Sequence, residues 1–228
     1  MFILERMIGM TKLKRIAVYT FIVFLLASAC SLDIYLPFGN QTYESGALLF
    51  QDDFSDQNSG WDTWYEEGSM IAYQEGGLRF FVDQPNYDYF SSPGKLYKDV
   101  KIDVDATHLA GPEDNDFGVI CRFKDDNNFY AFLIGSDGFS GILKVINGNY
   151  LMISGDGMQY SPSIISGRNV NHITVLCNGS NLVFWVNGEQ LFDVQDFDLD
   201  NGDIGLIAGT RDAPGVDVFF DNFVVFMP

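Results

Sequence analysis

Val100-Lys101-Ile102-Asp103-Val104-Asp105-Ala106 is the stretch that decides the fold. Four apolar side chains alternate with three charged ones, a period of two. Successive side chains of a strand point to opposite faces, so this segment reads as a strand with one buried face and one wet face. The same logic extends in both directions. Met70 to Tyr73 and Leu78 to Val82 flank Glu75-Gly76-Gly77, a hairpin. Phe117 to Phe123 and Phe129 to Ile134 flank Asp125-Asp126-Asn127-Asn128, a second hairpin. Phe139 to Val145 follows the turn Ser136-Asp137-Gly138. Leu182 to Val186 runs into Asn187-Gly188, two residues that tolerate the positive φ of a tight hairpin turn. Ile204 to Ala208 and Val216 to Phe226 close the chain. No segment after residue 48 carries a helical stripe. About a dozen short strands at close spacing imply an all-β antiparallel sandwich or barrel.

The N-terminal region has a different character. Arg6, Lys12, Lys14 and Arg15 precede an apolar run from Ile16 to Leu26, and small residues lead to Cys30. Charged start, short apolar middle and small-residue cleavage site are the parts of a secretory signal. The apolar run is shorter than the roughly 20 residues of a spanning helix. Leu26-Ala27-Ser28-Ala29-Cys30 looks like a bacterial lipoprotein signal. That resemblance implies cleavage of residues 1–29, lipidation of Cys30, and a protein exported and lipid-anchored, facing the cell exterior or the periplasm. The alternative is an uncleaved anchor helix with Cys30 incidental. Residues 30–47 read as a tether, and 48–228 as one domain with enough chain for a sizeable core.

The whole chain carries a net charge of −18. Removing the leader takes away four of 13 basic residues and one of 31 acidic ones; 9 against 30 remain, a net −21. Such a surface repels phosphates, which argues against nucleic acid as a partner. With Cys30 lipidated, Cys121 and Cys177 remain as an even pair, both in apolar strand-like runs. Outside the cytoplasm they can form a disulfide; two buried thiols are the alternative. His108 and His172 with two cysteines do not show zinc spacing.

Together the segments resemble concanavalin A-like lectin/glucanase domains, close to the laminin-G-like and 3-keto-disaccharide hydrolase groups. Leu49-Phe50-Gln51-Asp52-Asp53-Phe54-Ser55-Asp56 with Ser59-Gly60-Trp61 is similar to their opening strand. Phe117-Gly118-Val119-Ile120-Cys121-Arg122-Phe123 with Asn127-Asn128-Phe129-Tyr130 resembles their central hairpin. Asn171 to Val175, Leu182 to Gly188, Gly202 to Leu206 and Phe220 to Phe223 resemble the later strands. The resemblance implies a jelly roll of two packed antiparallel sheets with the first and last strands side by side. It implies that Trp61 packs inside.

Fold does not name function, so candidate chemistry is weighed residue by residue. Retaining glycosidases of this fold alternate carboxylates as E-x-D-x-E on one strand face. The glutamates after the leader are Glu44, Glu66, Glu67, Glu75, Glu113 and Glu189, and none forms that string. No Gly-x-Ser-x-Gly elbow occurs either, so no hydrolase activity is expected. Glycan binding uses aromatic faces beside amides and carboxylates. Trp64, Tyr65, Tyr87 and Tyr89 are the candidates, in acid-rich or polar surroundings. The facing of Trp185 stays open. Asp52, Asp53 and Asp221 could hold a structural calcium if the first and last strands are neighbours; the alternative is that they cap edge strands. No cofactor is otherwise implied. The expected role is non-catalytic glycan binding at the cell envelope, with an envelope protein as the alternative partner and a divergent 3-keto-glycoside hydrolase as a third reading.

Overall fold

The computed structural model describes residues 45–66 and 68–228. The leader 1–29, Cys30 and most of the tether lie outside the described residues.

Sixteen strands and no helix are present among the described residues. The larger sheet holds β1 (Leu48–Asp52), β2 (Trp64–Glu66), β3 (Ser69–Gln74), β4 (Gly77–Val82), β6 (Val100–Ala110), β12 (Val170–Asn178), β13 (Asn181–Val186), β14 (Glu189–Gln195) and β16 (Val216–Phe226). The smaller holds β5 (Asp88–Ser91), β7 (Asn115–Asp125), β8 (Asn128–Ile134), β9 (Phe139–Ile146), β10 (Asn149–Met152), β11 (Gln159–Tyr160) and β15 (Asp203–Thr210). The first runs β14-β13-β12-β6-β16-β4-β3-β2, with β1 also on β16; the second runs β10-β9-β8-β7-β15-β5, with β11 on β9. The first and last strands are neighbours, as the resemblance implies. Their pairing starts before residue 48: Gly46 N donates to Met227 O, and Met227 N to Ala47 O.

The alternation on β6 becomes a buried row. Val100, Ile102, Val104 and Ala106 enter the inter-sheet core, while Lys101, Asp103 and Asp105 line the outer face. Asn187 and Gly188 both take positive φ, as do Glu75 and Gly76. That backbone twist matches the strands that these tight turns join. On β7 and β8 both faces are covered, which explains their unbroken apolar runs. Phe117, Val119, Cys121, Tyr130, Phe132 and Ile134 face the main core. Ile120, Phe129, Ala131 and Leu133 join Val145 and Ile207 in a second apolar cluster on the outer face of the smaller sheet.

The three tryptophans separate. Trp61 is buried; its Nε1 donates to Asp52 Oδ2 at 2.9 Å and its ring lies 5.0 Å from that of Phe223. Trp185 pairs with Thr174 on the outer face of the larger sheet, while Phe184 beside it turns inward onto Phe132 and Phe192. Trp64 takes a third position, at the edge of the sandwich against Tyr89.

Cys121 on β7 and Cys177 on β12 form a disulfide across the core, joining one sheet to the other. Next to it, Arg122 has positive φ and is only 2% exposed. Its guanidinium donates to Leu199 O at 2.6 Å and Gly179 O at 2.5 Å, with Asp99 at 3.5 Å. Arg122 therefore anchors two loops. Arg122→Met leaves two carbonyls without a donor and is expected to cost roughly 3 kcal/mol, measured by denaturant unfolding.

Candidate functional site

The polar cluster with the most unusual chemistry stands on the outer face of the smaller sheet. Gly209 of β15 is flanked in register by Asp88 of the edge strand β5 and by Asp116 of β7. Asp88 shares its face with Phe90, and Gly209 shares its face with Ile207, which belongs to the outer apolar cluster. The two carboxyls lean together above the Gly209 backbone. A Cβ there would lie 1.9 Å from Asp88 Oδ1 and 2.6 Å from Asp116 Oδ1, so only glycine leaves them room. Arg211, just past β15, donates from Nη2 to Asp116 Oδ2.

Asp116 is 1% exposed, and its Oδ1 has no donor partner. An ionised carboxylate only accepts, so two that meet need one proton between them. Burial first, then the negative charge of Asp88, pushes the Asp116 carboxyl up to about 7, against the pull of Arg211. Burial also raises Asp88. The cluster is thus two close carboxyls that burial holds toward the protonated form, with a guanidinium beside them. Carboxylates accept from hydroxyl groups and a guanidinium donates to them, so the set matches a polyol better than a bare cation.

The loop before β5 is tied to this cluster. Asn86 N donates to Arg211 O at 2.8 Å, Tyr87 N to Thr210 Oγ1 at 3.2 Å, and Thr210 N to Tyr87 O at 3.0 Å. Arg211 therefore sits on a braced backbone with a side chain 42% exposed.

Asp88→Asn tests this electrostatic state. The folded pKa of Asp116 lies above its unfolded value of 3.8, so the folded chain holds a proton that the unfolded chain has lost. The associated stability is complete below about 3.8 and is lost as pH rises through about 7. Removing the like charge lowers the Asp116 pKa. Asp88→Asn is therefore expected to stabilise the fold by roughly 1 kcal/mol at pH 8, with a smaller gain at pH 4, in paired thermal melts.

The structure brings three of the four sequence-selected aromatics together. Trp64 meets Tyr89 at 4.3 Å between ring centres, and Tyr89 meets Tyr87 at 4.8 Å. Trp64 belongs to the edge strand of one sheet and Tyr89 to the edge strand of the other, and both pack on the core. Together they close one side of the sandwich. Tyr87 is half exposed at the rim beside Asp88. Tyr65, exposed and alternating with Trp64, points from the opposite face of β2.

The three aspartates considered for calcium are each engaged by nearby backbone. Asp52 accepts from Phe54 N and Trp61 Nε1, Asp53 from Ser55, and Asp221 from Asn222 N. A cleft of about 440 Å³ includes Asp52, Asp53, Asp56 and Asn222 in its lining. Among the described residues, no group of three or more His, Cys, Asp or Glu side chains is placed to hold a metal ion.

Asp88, Asp116 and Arg211 escaped the sequence reading. No motif links them; they meet only because β5, β15 and β7 are adjacent.

No protein-family model matches the chain, and no curated protein matches it. Solved structures do. A carbohydrate binding module, CBM66, from Bacillus subtilis is 19% identical with a TM-score of 0.60, over 73% of this chain and 95% of that one. A Bacillus subtilis protein of unknown function with a galectin-like fold is 14% identical with a TM-score of 0.60, over 81% and 98%. Bacillus licheniformis β-glucanase is 13% identical with a TM-score of 0.56, over 82% and 100%. At these identities the likeness is one of fold: the chain is a jelly-roll sandwich of the concanavalin A-like type.

Proposed function

We propose that this protein is an exported, non-catalytic glycan-binding protein, lipid-anchored through Cys30, that holds sugar hydroxyls at Asp88 and Arg211, with buried Asp116 positioning both from beneath. The observation that carries this reading is the carboxyl pair over Gly209 with Arg211 beside it. A buried carboxyl with an unpartnered oxygen is costly to keep, and such costs concentrate at functional sites. Similar folds include a carbohydrate binding module and a β-glucanase, which supports the same ligand class. Binding needs no cofactor in this reading.

The raised carboxyl favours a second reading, acid catalysis on a glycoside. Spacing argues against it. Glycosidase carboxyls stand roughly 5 Å or more apart to flank a bond, whereas here a single point, the place of a Cβ on Gly209, lies 1.9 Å from Asp88 Oδ1 and 2.6 Å from Asp116 Oδ1.

The test is a glycan array probed with the detergent-solubilised full chain, with and without chelator, followed by product analysis. Selective binding that is lost in Asp116→Asn, with the glycan recovered intact, is the expected result. Turnover moves the protein to the enzyme reading. A blank array from folded protein overturns the glycan reading in favour of an envelope-protein partner. For the anchor, mass spectrometry of membrane-extracted protein is expected to show a chain beginning at an acylated Cys30.

A further inference from the structure

The polar cluster is one end of a longer row. On the smaller sheet Asp88, Gly209 and Asp116 lie side by side on β5, β15 and β7. One step beyond the Phe117–Ile134 pair, Asp116 stands opposite Gly135, whose N donates to Phe139 O. Phe139 of β9 then pairs with Tyr160 of β11. The row across the sheet thus reads Asp, Gly, Asp, Gly, Phe, Tyr. Side chains paired across a ladder share a face. Ile134 and Ile142 point into the core, which turns Gly135 and Phe139 outward with Asp116.

Glycines at the second and fourth positions make room for carboxylates: Asp88 and Asp116 stand over Gly209, and Asp137 stands over Gly135, its Oδ1 2.5 Å from where a Cβ would lie, so the row of acidic groups continues toward the aromatic pair. Tyr160 is 64% exposed and Phe139 39% exposed, their rings 5.8 Å apart. Exposed rings are often mobile, but this one is seated. The Tyr160 ring lies where a Cβ on Gly138 would stand, 2.8 Å away, and Ser161 N donates to Gly138 O at 2.9 Å. The two-residue strand β11 holds an exposed aromatic ring in line with the carboxyl pair. Strands lie about 4.8 Å apart, so Tyr160 stands roughly 14 Å from Asp116 along the row.

We propose that Phe139 and Tyr160 form a stacking subsite for a second sugar unit, and that the ligand is a neutral oligosaccharide lying across the strands from Asp88 to Tyr160. This rests on the reading of Asp88, Asp116 and Arg211 as a sugar site. A single ring cannot reach both ends of the row, whereas a short chain can. The apolar face of a pyranose stacks on a ring while hydroxyls of the next unit meet Asp88 and Arg211. The net charge of −18 disfavours acidic glycans and favours a neutral one.

The test is calorimetric titration of the detergent-solubilised full chain with neutral gluco-, xylo-, manno- and fructo-oligosaccharides, from monosaccharide to hexasaccharide. Wild-type affinity for the bound series is expected to rise roughly five- to tenfold with length before it levels. Tyr160→Ala is expected to lose that gain, while Tyr160→Phe, which retains the ring face, keeps it. A length gain that survives in Tyr160→Ala overturns the subsite and leaves the polar site standing. Binding that persists in Asp116→Asn overturns the polar site instead. No binding of any series by folded wild type overturns both.

Discussion

Gly209→Ala is expected to abolish glycan binding while the sandwich stays folded. The added methyl would occupy the space into which Asp88 Oδ1 and Asp116 Oδ1 now project. Both are the ends of rotatable side chains, so the carboxyls swing away and the backbone need not move. Gly209 does not have the positive φ that only glycine tolerates well, so alanine adds little backbone strain. The carboxyls no longer stand together, and Arg211, which donates to Asp116, loses its orientation. Loss of a central polar anchor costs roughly a hundredfold in affinity. Circular dichroism and a melt within a few degrees of wild type, together with lost binding by calorimetry, are the expected pair of results. Wild-type affinity in Gly209→Ala removes the carboxyl pair from the site.

Opening the Cys121–Cys177 disulfide carries the largest expected effect on stability. The bond closes a loop of 56 residues between β7 and β12. Chain-entropy estimates for such a loop give about 4 kcal/mol, since the open unfolded chain gains freedom that the cross-linked one lacks. For a domain of this size that is roughly 10 °C or more in melting temperature. Both cysteines are fully buried, so the reductant acts only on transiently opened molecules. Melts of Cys121→Ala/Cys177→Ala against wild type, and of wild type with strong reductant under denaturing and then refolding conditions, give the comparison. Equal melting temperatures would show that packing alone holds the two sheets together.

The carboxyl pair and the disulfide were legible to different degrees, for one reason. Sequence reports what is local. The period of two in Val100 to Ala106, the Asn187-Gly188 turn and the unbroken apolar runs at Phe117 and Phe129 follow from backbone geometry and burial. They specify an antiparallel all-β fold, sandwich or barrel; the resemblance to concanavalin A-like domains is what selects the sandwich. The oxidisable cysteine pair could be counted, but their meeting across the core needed β7 and β12 to face each other. The aromatic candidates show the limit. Trp64 and Tyr89 stand in polar neighbourhoods of sequence, yet they pack together at the sandwich edge, because burial depends on which strands end each sheet. Arg122, in a segment resembling a family hairpin, turned out to anchor loops through the carbonyls of Leu199 and Gly179.

By itself the sequence determined the all-β character, the tight turns and the acidic charge that disfavours nucleic acid, although it implied about a dozen strands where the structure has sixteen. Only the tertiary structure decided the site. Asp88, Gly209 and Asp116 become neighbours through antiparallel pairing of strands distant in the chain, and Phe139 and Tyr160 join their row by the same register. A sheet gathers side chains perpendicular to its strands, and that direction has no trace in the order of residues along the chain.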